Sequence, residues 1–172
     1  MVLDTFENLN IEKKKRIFRA MLNEFENYPL HQAQVARIID EVKISRGSFY
    51  KYFNDIKDAY WYVYQVAMKE IHEQSESERQ HKVSYQEIVR NFVEQTTNSQ
   101  YFKFIKMHLC MNETLLKNEA QQTFEKQPAN FKEWSVMVLS HEVIRQVMLN
   151  PVNKEKLLDY FNKAVKKIEK ED

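Results

Sequence analysis

Apolar residues recur every three or four positions along most of this chain, and short polar runs interrupt them. That period marks amphipathic helices; a half-buried strand would alternate every second residue. Ile11, Phe18, Met21, Leu22 and Phe25 make the first stripe, which stops at Asn27-Tyr28-Pro29 because proline disfavours a helical residue before it. Val35, Ile38, Ile39 and Val42 form a short second stripe. After Lys43-Ile44, Ser45 is placed to cap a third short helix over residues 45–52, with Phe49 and Phe53 on one face. Asp55 is placed to cap a long helix carrying Tyr60, Val63, Tyr64, Ala67, Met68 and Ile71. This helix fades into the polar run 73–82, read as a linker or frayed end.

Ser84 and Glu87 then form a capping-box pattern ahead of Tyr85, Ile88, Val89, Phe92 and Val93. Asn98-Ser99 restarts a helix through Phe102, Ile105 and Leu109, extended or closely followed by one through Leu115, Leu116 and Phe124. Beyond Pro128 the stretch 131–149 is apolar on two sides, with Trp134, Val138 and His141 on one and Val136, Leu139, Val143 and Val147 on the other. A surface helix needs only one such face. Asn150-Pro151 ends it, and a final helix over 154–170 carries Leu157, Leu158, Phe161, Val165 and Ile168. The predicted fold class is all-α, with short connections typical of helical bundles.

Composition narrows the chemistry. One Gly in 172 residues cannot supply the positive-φ turns of a β-sandwich, barrel or nucleotide-binding α/β fold, and it excludes Gly-rich phosphate loops. The lone cysteine, Cys110, rules out an internal disulfide and a multi-cysteine zinc site. The first residues are acidic without a signal-peptide apolar block, and no stretch reaches the ~18 apolar residues of a membrane span. A cytoplasmic chain without membrane attachment is therefore expected. The formal net charge of +1 names no partner, and residues 1–60 are nearly balanced in charge. Any charged binding surface must come from arrangement.

The two short helices at 35–42 and 45–52 are too brief to be stable alone, where roughly 12–15 residues are needed, so they must pack on the first helix and on each other. A short turn between them fits a helix-turn-helix. With Phe49 and Phe53 inward, Ser45, Arg46, Ser48, Lys51 and Tyr52 are expected to face outward. These types suit DNA: Arg for a guanine edge or phosphate, hydroxyls and Lys for phosphate. Gly47 lies inside this helix at a cost of ~1 kcal/mol relative to alanine. Either a phosphate or base edge approaches the backbone there, or the two short helices touch closely at that point.

The run Ile44-Ser45-Arg46-Gly47-Ser48-Phe49-Tyr50-Lys51-Tyr52-Phe53 resembles the recognition helix of TetR-type bacterial transcriptional regulators. The resemblance extends back through Arg16-Ile17-Phe18, Phe25, Val35 and Ile38-Ile39, and forward into the helix from Asp55, covering about the first third of the chain. It implies a DNA-binding domain over 1–54 and a ligand-binding and dimerisation domain over 55–172. It further implies a dimeric, ligand-responsive repressor on a palindromic operator. The DNA contacts it implies are Ser45, Arg46, Gly47, Ser48, Tyr50, Lys51, Tyr52 and Lys57, with Tyr50 and Lys51 toward phosphates and Arg46 toward a base edge. Three departures stand out. Lys43 replaces the usual turn glycine, Ala33-Gln34 replace the usual Ser/Thr cap, and Ile56 stands at a family lysine, with Lys57 next to it.

In the remaining two-thirds, the last two helices match the resemblance's dimer helices, which gives Trp134, Val138, His141, Leu158, Phe161 and Val165 as interface residues. A homodimer brought together by two crossing copies of these helices is expected. For a small apolar or aromatic inducer, Trp61, Tyr64, Met68 and Phe92 are expected to line a pocket. Phe102, Met107, Met111 and Trp134 complete that set, although such residues at helical spacing also serve as plain core. His72, His108, Cys110 and His141 lack the short paired spacing of metal ligands, so structural or surface roles are favoured for them. No metal, cofactor or catalytic constellation is expected. The alternative to a regulator is a helical interaction protein of the same fold that no longer binds DNA.

Overall fold

The computed structural model describes residues 3–76, 83–120 and 128–170. Among these residues there are helices and turns and no strand, as the apolar period predicts. The chain divides into two compact units, Met1–Glu70 and Ile71–Asp172.

The first unit holds α1 (Asp4–Glu7), α2 (Ile11–Asn27), α3 (Val35–Val42), α4 (Arg46–Tyr50) and the first part of α5 (Ile56–Glu76). A single 3-10 turn, Leu30–Gln32, joins α2 to α3. Asn10 caps α2, its Oδ1 accepting the Lys13 N–H at 2.8 Å. Asp55 caps α5 in the same way, accepting the Asp58 N–H at 2.8 Å. Ile17, Ala20, Met21, Leu22 and Phe25 bury the inner face of α2, while Ile11, expected in that stripe, is exposed. They join Ile38 and Val42 of α3, Phe49 and Phe53, and Ala59, Tyr60, Val63 and Ala67 of α5 among the buried residues. Because α5 contributes four buried side chains here, this unit runs past the boundary expected at residue 54 to Glu70.

The second unit holds α6 (Tyr85–Asn98), α7 (Phe102–Met107), α8 (Glu113–Ala120), α9 (Phe131–Leu149) and α10 (Lys154–Lys170). The expected capping box is present: the Glu87 N–H donates to Ser84 Oγ at 3.2 Å and the Ser84 N–H to Glu87 Oε2 at 2.9 Å. Asn130 caps α9 through the Glu133 N–H at 2.9 Å. Its core joins Val89 and Val93 of α6, Val136, Val143, Val147 and Met148 of α9, and Leu158, Phe161 and Val165 of α10. Between α7 and α8 the backbone widens into one π-helical segment, His108–Asn112, which no periodicity announced. The expected linker at 73–82 lies partly, and Phe124 wholly, outside the described residues.

Candidate nucleic-acid interface

The helix-turn-helix rests on an unusual turn. Lys43 has φ 56° and ψ 50°, the left-handed region that favours glycine, and no other non-glycine residue among those described has positive φ. The Ile44 N–H closes back on the Ile39 carbonyl at 3.1 Å, the bond that ends a helix with a left-handed residue. Arg16 Nη2 of α2 donates to the Val42 carbonyl at 2.9 Å, satisfying another of the last carbonyls of α3. Of the two ways open to a lysine at this turn, avoiding positive φ or accepting its strain, the chain takes the second.

Across the turn, Ser45 caps α4, its Oγ accepting the Ser48 N–H at 3.1 Å and lying 2.9 Å from Ser48 Oγ. The start of α3 has no side-chain cap of its own, as the Ala33-Gln34 pair implies. A carboxylate from another helix replaces it: Glu24 Oε1 accepts the Gln34 N–H at 2.7 Å. Glu24 is buried, and Arg37 meets it through Nε at 2.8 Å and through Nη2 at 2.5 Å. The Arg37 guanidinium also lies 3.8 Å from the Tyr28 ring centre and donates to the Gln32 carbonyl. Donating to the Glu24 carboxylate raises the Arg37 pKa above its ordinary value. This clamp was not read from the sequence.

On α4, Ser45, Arg46, Gly47, Tyr50 and Lys51 are exposed and Ser48 is half-buried, while Phe49 is fully buried. Lys57 is exposed in the first turn of α5. Tyr52 corrects the expectation: it is only 5% exposed and faces inward. Its ring lies edge-on to Phe6 at 5.8 Å, and its carbonyl accepts the Leu3 N–H at 3.1 Å. Phe6 packs also on Phe53 and Tyr62, so the α1 segment covers the residues that follow α4 and removes Tyr52 from the outward set. A Cβ built on Gly47 would meet nothing nearer than Ser45 Oγ at 3.9 Å, an ordinary contact. The chain's own packing does not require that glycine, which disposes of a close contact between α3 and α4 at that point. Beside α4, an open groove of about 400 Å³ is lined by Ala33–Ala36, Arg46, Tyr50, Asp55 and Ile56.

The second-unit expectations fare unevenly. Leu158, Phe161 and Val165 are corrected as interface residues, since they are buried in the unit's own core against α6 and α9. Trp134 and Val138 are about half exposed, and with Phe131 and Met137 they give α9 an outward apolar side opposite Val136, Val143 and Val147. Met111 and Trp134, expected beside an inducer, are both about half exposed. Trp61, Tyr64 and Met68 belong to the first unit, and Trp61 lies edge-on to Tyr64 at 5.4 Å. Phe92, Phe102 and Met107 belong to the second, where Phe102 packs on the core and Phe92 stacks near His72.

His141 Nε2 approaches Glu113 Oε1 at 2.7 Å without the alignment of a hydrogen bond. Burial and the neighbouring His141 hold buried His108 at about 4, and burial raises the Cys110 thiol. Among the described residues no group of three or more His, Cys, Asp or Glu side chains could hold a metal ion, and no helix is long and apolar enough to cross a membrane.

This arrangement, a helix-turn-helix unit followed in the chain by one long helix and a further set of helices, is the all-α fold of TetR-family transcriptional regulators. One solved structure of that class, a TetR family transcriptional regulator from Chloroflexus aurantiacus J-10-FL, matches 98% of this chain and 97% of its own, with a TM-score of 0.60 and 16% sequence identity. No protein-family model and no curated protein sequence matches the chain.

Proposed function

We propose that this protein is a cytoplasmic, DNA-binding transcriptional regulator, a repressor that binds a palindromic operator as a homodimer and releases it when a small apolar or aromatic ligand binds. One observation carries the reading: α4 turns Arg46, Gly47, Tyr50 and Lys51 to solvent, and its glycine answers no need of the chain's own packing. Glycine in a helix costs stability, so its presence fits a backbone that a base edge or phosphate approaches closely. The fold shared with a transcriptional regulator supports the same conclusion.

The outward apolar side of α9 supports a homodimer. Phe131, Trp134, Met137 and Val138 lie along one helix, the kind of surface a two-fold contact with the same helix of a second copy would bury. Helix-turn-helix dimers in general bind two half-sites in major grooves ~34–36 Å apart. Helix α5 begins in the first unit and ends in the second, a continuous element through which a ligand could act on α4. Ligand control requires only that the ligand bind one arrangement of the dimer more tightly than the other.

The test is retardation of the duplex upstream of the protein's own gene over a series of salt concentrations. Sequence-specific retention that weakens steeply with salt supports the regulator, because each neutralised phosphate releases counterions. Equal retention of unrelated duplexes, or none at low salt, favours the interaction protein that has lost its operator. Ile56 beside the groove, where the resemblance places a lysine, is the observation on that side.

A further inference from the structure

We infer that Phe6 is a positioning residue: the α1 segment is a strap that fastens the end of α4 to α5 without itself touching DNA, an assignment that rests on the DNA-binding reading above. With five residues, α4 is too short to hold its own direction, since an isolated helix needs roughly 12–15. Its start is tied to α3 by the turn at Lys43. Its end is tied from a distant part of the chain. The Leu3 N–H donates to the Tyr52 carbonyl at 3.1 Å, and the fully buried Phe6 ring stands 5.8 Å from Tyr52 and 5.0 Å from Phe53. Phe53 in turn meets Phe49 of α4 at 5.5 Å.

The same ring reaches α5. Phe6 lies edge-on to Tyr62 at 5.2 Å, and Tyr62 also meets Phe53 at 5.9 Å and Phe18 of α2 at 6.1 Å. Phe6 thus closes a triangle of rings between the residues that follow α4 and the second turn of α5. Burial, with the Glu7 carboxylate nearby, raises the Tyr62 pKa above its ordinary value. On its other side the strap is held by α2, where Lys14 Nζ pairs with Glu7 Oε2 at 3.3 Å and Lys13 Nζ lies 5.9 Å from the Tyr52 ring centre. The four residues of α1 cannot stay helical by themselves, so the burial of Phe6 is what orders them. Their charged side chains are Asp4 and Glu7, which repel a phosphate. Any effect of α1 on DNA binding must therefore pass through α4. A rod whose end is fixed beforehand surrenders less freedom on docking than one the DNA must order.

The experiment compares the wild-type chain with Phe6→Ala, Phe6→Leu, Tyr62→Ala and Tyr62→Phe by titration of the upstream duplex and of an unrelated duplex over a salt series. Each variant is titrated at a temperature where its own urea curve shows it folded, so that lost stability by itself changes nothing. Phe6→Ala should weaken the upstream duplex roughly tenfold and the unrelated one less than about twofold, with the salt slope unchanged because no phosphate contact is lost. Phe6→Leu, which refills the site without a ring, should lose less, and Tyr62→Phe should bind as wild type. Tyr62→Ala should repeat the Phe6→Ala loss, and the double variant should lose less than the product of the two. In the protein without DNA, the Tyr52 and Phe53 amides, which donate to the Phe49 carbonyl, should exchange at least about tenfold faster in Phe6→Ala, while amides of α3 keep their wild-type rates.

Equal weakening of both duplexes, with a salt slope lower by about one, would make α1 part of the phosphate surface and overturn the assignment. Wild-type affinity in folded Phe6→Ala, or wild-type exchange at Tyr52 and Phe53, would reduce Phe6 to a stabilising core residue and overturn it as well. A wild-type chain that retains neither duplex, or both alike, overturns the regulator reading instead, and the exchange comparison then still decides whether α1 fastens the end of α4.

Discussion

Lys43 and Gly47 stand four residues apart and invert the ordinary placement of glycine. The turn after α3 needs a left-handed residue and has a lysine; the helix after it needs none and has the chain's one glycine. A non-glycine residue held in the left-handed region costs on the order of 1–3 kcal/mol. Lys43→Gly is therefore expected to raise stability by about 1 kcal/mol in urea unfolding, part of the relief being spent on the greater freedom of the unfolded chain. Lys43→Ala should show no such gain, because alanine keeps the Cβ that makes the conformation costly. At Gly47 the expected signs separate fold from function. Gly47→Ala should leave stability unchanged or raise it by up to about 1 kcal/mol, since the added methyl meets open space. Binding to the upstream duplex should fall in the same variant. Undiminished binding would remove the idea that a ligand approaches the backbone there.

Two cross-helix devices shape the helix-turn-helix. The Glu24–Arg37 clamp stands in for a missing cap, and the α1 segment covers Tyr52. Within the clamp the two partners are not equivalent. Glu24 is buried, whereas Arg37 keeps about a third of its side chain in solvent. Deleting the arginine leaves a buried carboxylate with one N–H for company, while deleting the carboxylate leaves a guanidinium that can turn to water. Arg37→Ala should therefore lower the unfolding midpoint more than Glu24→Ala, and the reverse order would show that the carboxylate's bond to the start of α3 outweighs the cost of leaving it buried without its arginine. Caps whose partners lie three residues apart, such as Ser45, Asp55 and the Ser84–Glu87 box, were legible in the chain because they are local. Partners ten and thirteen residues apart are joined by the path of the chain, and no local pattern announces them.

The two units answer different perturbations. In the second, burial holds His108 at about 4, while in the unfolded chain its imidazole takes up a proton near 6.5. Between those pH values the unfolded state binds more protons, so stability present above pH 6.5 is lost as pH falls toward 4, by roughly 3 kcal/mol. Urea unfolding of the second unit over that range should show the loss, and His108→Gln should flatten it. On the outside of the same unit, α9 carries the exposed apolar side on which the proposed homodimer rests. Sedimentation at micromolar concentration should show a dimer, and Val138→Glu should give monomer with helix content unchanged. A wild-type monomer under those conditions would remove α9 as the contact.

The helices themselves, their order and most of their caps follow from period and short-range chemistry, and so do the inward Phe49 and Phe53 and the outward Ser45, Arg46 and Lys51. Those properties are written within a few residues of each other, where a 3.6-residue repeat and an i to i+3 hydrogen bond suffice. Long-range packing settled the rest. Tyr52 lies inside because Phe6, far away in the chain, covers it, and Leu158, Phe161 and Val165 serve their own subunit because α6 and α9 meet them. Periodicity shows that a helix face is apolar but carries no label for the surface that buries it. That label comes only from which distant segments the folded chain brings against the face.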